Sequence, residues 1–169
     1  MEKKNIDWSN LNFGYIQTEK RYVSYFKDGS WDEGTLIEDA NIVLNECAGV
    51  LQYAQTIFEG LKAYTTEDGH IVAFRPDLNG ERMEDSARRL EMPVFPKEHF
   101  VDAVTKAVAA NAAYVPPYGS GVYPPLYVRH EFRHRRKACG CVSVPYLLYS
   151  RGTLFQRRCK AFDHLCQRF

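Results

Sequence analysis

An α+β fold is what this sequence predicts, on three observations. Its 169 residues are 45% apolar, 25% charged and 14% aromatic, a balance that fits a globular chain and excludes disordered, collagenous and coiled-coil classes. Two β-prone stretches turn back on themselves at Asp28-Gly29 and Asp68-Gly69, the mark of hairpins. Further along, apolar residues recur at helical spacing on both sides of Pro93. No apolar run approaches the roughly 20 residues a membrane helix needs. Polar residues follow Met1-Glu2-Lys3-Lys4-Asn5, where a secretory signal would place its apolar stretch, so a cytoplasmic location is expected.

In chain order, Tyr22-Val23-Ser24-Tyr25-Phe26, the turn Lys27-Asp28-Gly29-Ser30 and Trp31 predict an aromatic-rich hairpin. Ala40 to Leu44 (ANIVL), too short an apolar run for a helix, predicts a buried strand. Gln52 to Phe58 predicts a short helix before Gly60. Leu61 to Thr66 and His70 to Phe74 predict a second hairpin around Glu67-Asp68-Gly69, stopped by Pro76. Asn79 can cap a helix through Arg82, Met83, Ala87 and Leu90, ended by Pro93, with Glu81, Glu84 and Asp85 near its positive end. In the last helix Pro96 suits the first turn, and Phe100, Val101, Val104, Ala107, Val108 and Ala112 share one face.

The net charge of +1 averages two unlike pieces. Through Gly121 there are 12 basic and 19 acidic residues, net −7; after it, 10 basic residues face only Glu131 and Asp163, net +8. In the second piece apolar residues follow neither the helical nor the strand period, and arginines interrupt every run. Such a segment is badly placed to offset its ordering entropy by burial. The chain therefore divides into 1–121, a well-patterned domain, and 122–169, a basic tail expected to be poorly ordered.

The tail suggests two chemistries. Cys139, Cys141, Cys159 and Cys166 with His164 offer zinc's preferred ligand types. One residue separates the first cysteine pair and six the second, whereas structural zinc sites start from pairs about two to four apart. Free thiols in a reducing cytosol fit better, and no metal is expected. The arginines could instead neutralise phosphates, with Tyr146, Tyr149 and Phe155 stacking on bases. Basic composition alone carries no groove geometry, so nucleic-acid binding stands as an alternative. In the first piece, Arg82 near a helix start can hold a phosphate or pair at the surface with Glu81 or Asp85. Tyr53 and Phe58 read first as core aromatics.

Residues 1–121 resemble the N-terminal domain of a branched-chain amino acid aminotransferase, a class IV enzyme dependent on pyridoxal 5'-phosphate. The resemblance is carried by NIVLNECAG (Asn41 to Gly49), Leu51-Gln52-Tyr53, IFEGLKAY (Ile57 to Tyr64), FRPDLN (Phe74 to Asn79), Arg82-Met83, SARRL (Ser86 to Leu90), Met92-Pro93, Val115-Pro116 and Gly119-Ser120-Gly121. It implies the small domain of the family fold without its C-terminal domain. It implies that Arg82 binds the cofactor phosphate, and that Tyr53 and Phe58 line an apolar substrate pocket. The implied reaction is amino transfer between leucine, isoleucine or valine and 2-oxoglutarate, in a homodimer. The family's cofactor-bearing lysine and the acid beside the pyridine nitrogen lie in its C-terminal half. Neither Lys137 nor Lys160 can be assigned that role, so no catalytic residue is assigned and these 169 residues alone are expected to be inactive. The alternative is a catalytically dead module kept for dimer contacts.

The family continues after Gly121 with a YIRPYMFG-like run, whereas this chain has VYPPLYVRHEF. Written as possible codons and read one nucleotide forward, Val122 to Arg129 with His130 permit YIRPYMFG. Likewise Val142 to Ala161 permit YQFRICSTPVGPYFKGGAKP, and Phe162 to Arg168 permit LTIYVSD. These strings resemble the next family segments, so the tail is expected to be translated out of frame. On that reading Leu126-Tyr127-Val128-Arg129, which mimics a family tyrosine and arginine pair at the substrate carboxylate, receives no site.

Overall fold

The computed structural model describes residues 3–7, 17–120, 125–132, 140–144 and 166–168. The predicted α+β class is observed: antiparallel strands form one sheet and two long helices pack on it. The first hairpin forms as predicted. Strands β1 (Arg21–Lys27) and β2 (Ser30–Trp31) pair Phe26 with Trp31 and Lys27 with Ser30. Asp28 and Gly29 between them have φ of 52° and 88°, as a two-residue turn matched to strand twist requires. Trp31 donates its Nε1–H to the Val94 carbonyl at 2.7 Å and meets Phe95 edge-on, tying the hairpin to the connection between the helices. Strand β3 (Thr35–Ile37) adds to β1.

Ala40 to Leu44 is no strand, and Ile42 and Val43 are 38% and 82% exposed. Side chains hold the backbone here instead: Arg21 donates to the carbonyls of Asp39 and Asn41, each at 2.6 Å, and Asp39 Oδ1 accepts from the Asn41 N–H. A short apolar run cannot distinguish a core strand from a surface segment. The expected helix from Gln52 to Phe58 is also displaced. Helix α1 (Gly49–Tyr53) stops at Ala54, which is left-handed (φ 50°), and the β-branched pair Thr56-Ile57 opens strand β4 (Thr56–Thr65).

The second hairpin stands, its first strand five residues longer at the start than predicted. β4 pairs with β5 (Ile71–Phe74) through Ala63 with Ala73, Tyr64 with Val72 and Thr65 with Ile71, and Gly69 takes φ 85° in the connection. Helix α2 runs Pro76–Arg89, beginning a turn earlier than predicted, with Pro76 in the first turn and Asp77 its only first-turn acid. Proline's fixed φ and missing N–H suit that place. Asn79 is therefore interior and does not cap, and Glu81, Glu84 and Asp85 lie beyond the first turn. Helix α3 (Lys97–Ala110) buries Phe100, Val104, Ala107 and Val108 as predicted. With Met83 and Ala87 of α2 and Ile57, Leu61 and Ala63 of β4 they build the core.

Within 122–169, where no element was predicted, three strands occur: β6 (Pro125–Phe132), β7 (Gly140–Val144) and β8 (Cys166–Arg168). The sheet order is β2-β1-β7-β6-β4-β5-β8, with β3 also on β1. Strand pairing uses backbone groups that every non-proline residue carries, so an open edge can recruit a strand without an apolar period. No helix among the described residues is long and apolar enough to cross a membrane.

Candidate functional site

The site begins with the alternation of β4. Ile57, Glu59, Leu61 and Ala63 are buried on the face that α2 covers, whereas Phe58 between them is 72% exposed on the other. Glu59 is the exception in chemistry: a carboxylate only 7% exposed in an otherwise apolar row. A buried charge costs much unless paired and hydrogen-bonded. Helix α2 supplies the partners from one turn, since Asn79 and Arg82 are i and i+3. Asn79 Nδ2 donates to Glu59 Oε2 at 2.8 Å and to the Gly60 carbonyl at 3.2 Å. Arg82 donates from Nε to Oε1 at 3.2 Å and from Nη2 to Oε2 at 2.5 Å.

Arg82 thus sits in the second turn of α2, beyond the first turn over which a helix's positive end acts most strongly. Its side chain is 64% exposed while that of Glu59 is 9% exposed. The hydrogen bonds from Arg82 to Glu59 raise the guanidinium further above its ordinary value, so it is a permanent cation. Among the described residues its bonds use Nε and Nη2 only, which leaves the Nη1 edge for an oxyanion. This donor set fits a phosphate: a planar, always-charged fork, anchored behind and open in front. Glu81 and Asp85, the surface partners that spacing suggests, are engaged elsewhere; Glu81 bonds Lys97, and Asp85 bonds Arg88.

Tyr53 ends α1 and is 63% exposed, lining a cavity of about 530 Å³ with Cys47, Gln55, Arg89 and Leu90. Neither Phe58 nor Arg82 lines it. Tyr53 and Phe58 are therefore surface aromatics rather than core ones. Phe58 and Arg82 are joined through Glu59 but stand toward opposite faces of β4. Glu59 carries no expected role in the sequence beyond its place in IFEGLKAY; the signal that could have found it is a charge at a buried position in the two-residue period of β4. The register of β6 sets Arg129 opposite Phe58 and Tyr127 opposite Gly60.

Of the expected tail chemistry, Cys139, Cys159, His164, Lys137, Lys160, Tyr146, Tyr149 and Phe155 lie outside the described residues. Cys141 and Cys166 fall on β7 and β8, with β6, β4 and β5 between them.

No family model matches the chain. In sequence it is 44% identical over 147 residues to the branched-chain-amino-acid aminotransferase of Haemophilus influenzae, covering 87% of this chain and 42% of that protein. A match of that length runs past Gly121. It is also 44% identical over 126 residues to the methionine aminotransferase BCAT4 of Arabidopsis thaliana, covering 74% of this chain and 35% of the relative. In structure it resembles the branched-chain aminotransferase of the thermophilic archaeon Thermoproteus uzoniensis with norvaline, TM-score 0.52 at 19% identity, over 73% of this chain and 40% of that one. The Thermobaculum terrenum branched-chain amino acid aminotransferase in its pyridoxal-phosphate form gives 0.54 at 20% identity, over 80% and 42%.

The fold is that of the class IV aminotransferases, represented by part of one. By sequence the chain is a homologue of the branched-chain amino acid aminotransferases, and it spans about two fifths of the length of the Haemophilus relative.

Proposed function

We propose that this chain carries the cofactor-phosphate arginine and one wall of the substrate pocket of a cytoplasmic, homodimeric branched-chain amino acid transaminase. The observation that carries the reading is the exposed Arg82 guanidinium braced by buried Glu59. Arg82 would hold the phosphate of pyridoxal 5'-phosphate through its open edge, neutralising part of its charge. When bound, that cofactor supplies an electron sink for the electron pair left at the substrate α-carbon. Phe58 and Tyr53 offer apolar surface that favours the aliphatic side chains of leucine, isoleucine and valine over polar ones. 2-Oxoglutarate is the proposed amino acceptor. Exposed Val43, Leu51, Tyr53 and Phe58 support burial against further protein, a second subunit included.

No lysine of these 169 residues is assigned the proton transfer, and the chain by itself is proposed to be inactive. Direct binding tests the Arg82 assignment. Titration of the full chain with pyridoxal 5'-phosphate and with pyridoxal is expected to show a clear preference for the phosphorylated form. Arg82→Ala is expected to weaken that form about tenfold or more, the worth of a charge-assisted hydrogen bond, and to leave pyridoxal unchanged. Equal binding of the two forms by the unmodified chain would sink the assignment.

We also propose that residues 122–169 are read out of frame. The support is the set of shifted strings together with the abrupt change of charge at Gly121. The coding DNA decides it: codons for Val142 to Ala161 that cannot spell YQFRICSTPVGPYFKGGAKP one nucleotide forward would end the idea.

A further inference from the structure

We infer that Glu59 is a positioning residue for anion binding at Arg82. The inference rests on the assignment of Arg82 to the cofactor phosphate and adds the group that aims it. A free arginine on a helix surface spreads its guanidinium over many rotamers. Here two of its nitrogens are held by one carboxylate, and that carboxylate is itself held by Asn79 and sunk in the β4 row between Ile57 and Leu61. The fork is thereby fixed at Nε and Nη2, and the remaining edge faces out in one orientation.

Glu59 carries the same sign of charge as the ligand. Coulomb attraction alone therefore says that neutralising it should tighten anion binding. Positioning says the opposite. With a glutamine at 59, one carbonyl oxygen must serve donors that two carboxylate oxygens now satisfy, and its amide group opposes the donors on Asn79 and Arg82. The fork is released and the bound anion must restrain it again. A role confined to holding α2 on the sheet predicts a change in melting temperature with no change in affinity once the chain is folded.

The test is a titration of the full chain with pyridoxal 5'-phosphate and separately with inorganic phosphate, followed by the phosphorus-31 signal, with circular dichroism to establish folding. Glu59→Gln is expected to weaken both probes about tenfold, one charge-assisted hydrogen bond's worth. Unchanged or tighter binding overturns the inference. Should Glu59→Gln fail to fold, Arg82→Lys decides, because it alters only an exposed side chain and keeps the charge. An ammonium drawn onto Glu59 presents no second edge, so binding is expected to fall nearly as far as in Arg82→Ala. Full affinity in Arg82→Lys would mean that charge without orientation suffices, and the inference fails. If Arg82→Ala itself binds phosphate normally, the underlying assignment is wrong and the role of Glu59 falls with it, a pattern distinct from the other two.

Discussion

Phe100→Ala is expected to destabilise the chain by about 3–5 kcal/mol, the usual cost of deleting a buried phenyl ring. Phe100 is fully buried on α3, in the cluster where α2, α3 and the sheet meet, and Phe95, Val104, Val108 and Val115 in the same core are equally inaccessible. The cost adds the lost transfer energy of the ring to that of a cavity the helix cannot collapse into, because neighbours on three elements hold it open. Against a typical total of about 5–15 kcal/mol, this is a large share. Urea unfolding followed by circular dichroism should show a lower midpoint at nearly constant slope. A loss under about 1 kcal/mol, well below the usual range for such a deletion, would mean that the helices are not packed on the sheet as described.

Gly80→Val is expected to cost about 1–3 kcal/mol by overpacking and to weaken phosphate binding as well. A Cβ at Gly80 would lie 2.9 Å from Lys97 Cβ and 3.1 Å from Lys97 Cα, so the obstacle is the root of the next helix and not the mobile end of its side chain. Glycine is needed here because α2 and the first turn of α3 touch. The same junction is tied by Glu84, which accepts from the Lys97 backbone N–H at 2.8 Å. Relief of the clash moves α2, and α2 carries both Asn79 and Arg82 to Glu59. Stability and anion affinity should fall together, as they should in Arg82→Ala, which leaves the buried Glu59 carboxylate without its cation. Melting and phosphate titration of Gly80→Val, which keeps Arg82, check both effects. Full affinity in Gly80→Val would show that the site is insensitive to where α2 lies.

Features coded within a few residues are legible in the sequence. The Asp-Gly turns at 28–29 and 68–69 place two hairpins because the left-handed backbone taken by Asp28, Gly29 and Gly69 is cheap for those residue types, and α3 is legible because its core-facing residues repeat at helical spacing. The departures share a cause. The apolar run at Ala40 to Leu44 suits a strand, yet its backbone is held by Arg21 from another segment. Asn79 looks like a cap, yet α2 has already begun at Pro76 and the asparagine is drawn to Glu59, 20 residues away. Tyr53 and Phe58 look like core residues because aromatic character does not say which face of an element is covered.

By itself the sequence determined the hairpins, the buried face of α3, the α+β class and the kinship with branched-chain aminotransferases, since turn chemistry, apolar period and family motifs are written within short stretches. Tertiary structure alone decided that Glu59 braces Arg82 across 23 positions, and that β7 and β6 stand between β1 and β4. The physical reason is that a buried charge takes whatever donor the packing brings to it, and a strand edge takes whatever backbone arrives. Neither choice leaves a pattern in the neighbouring residues.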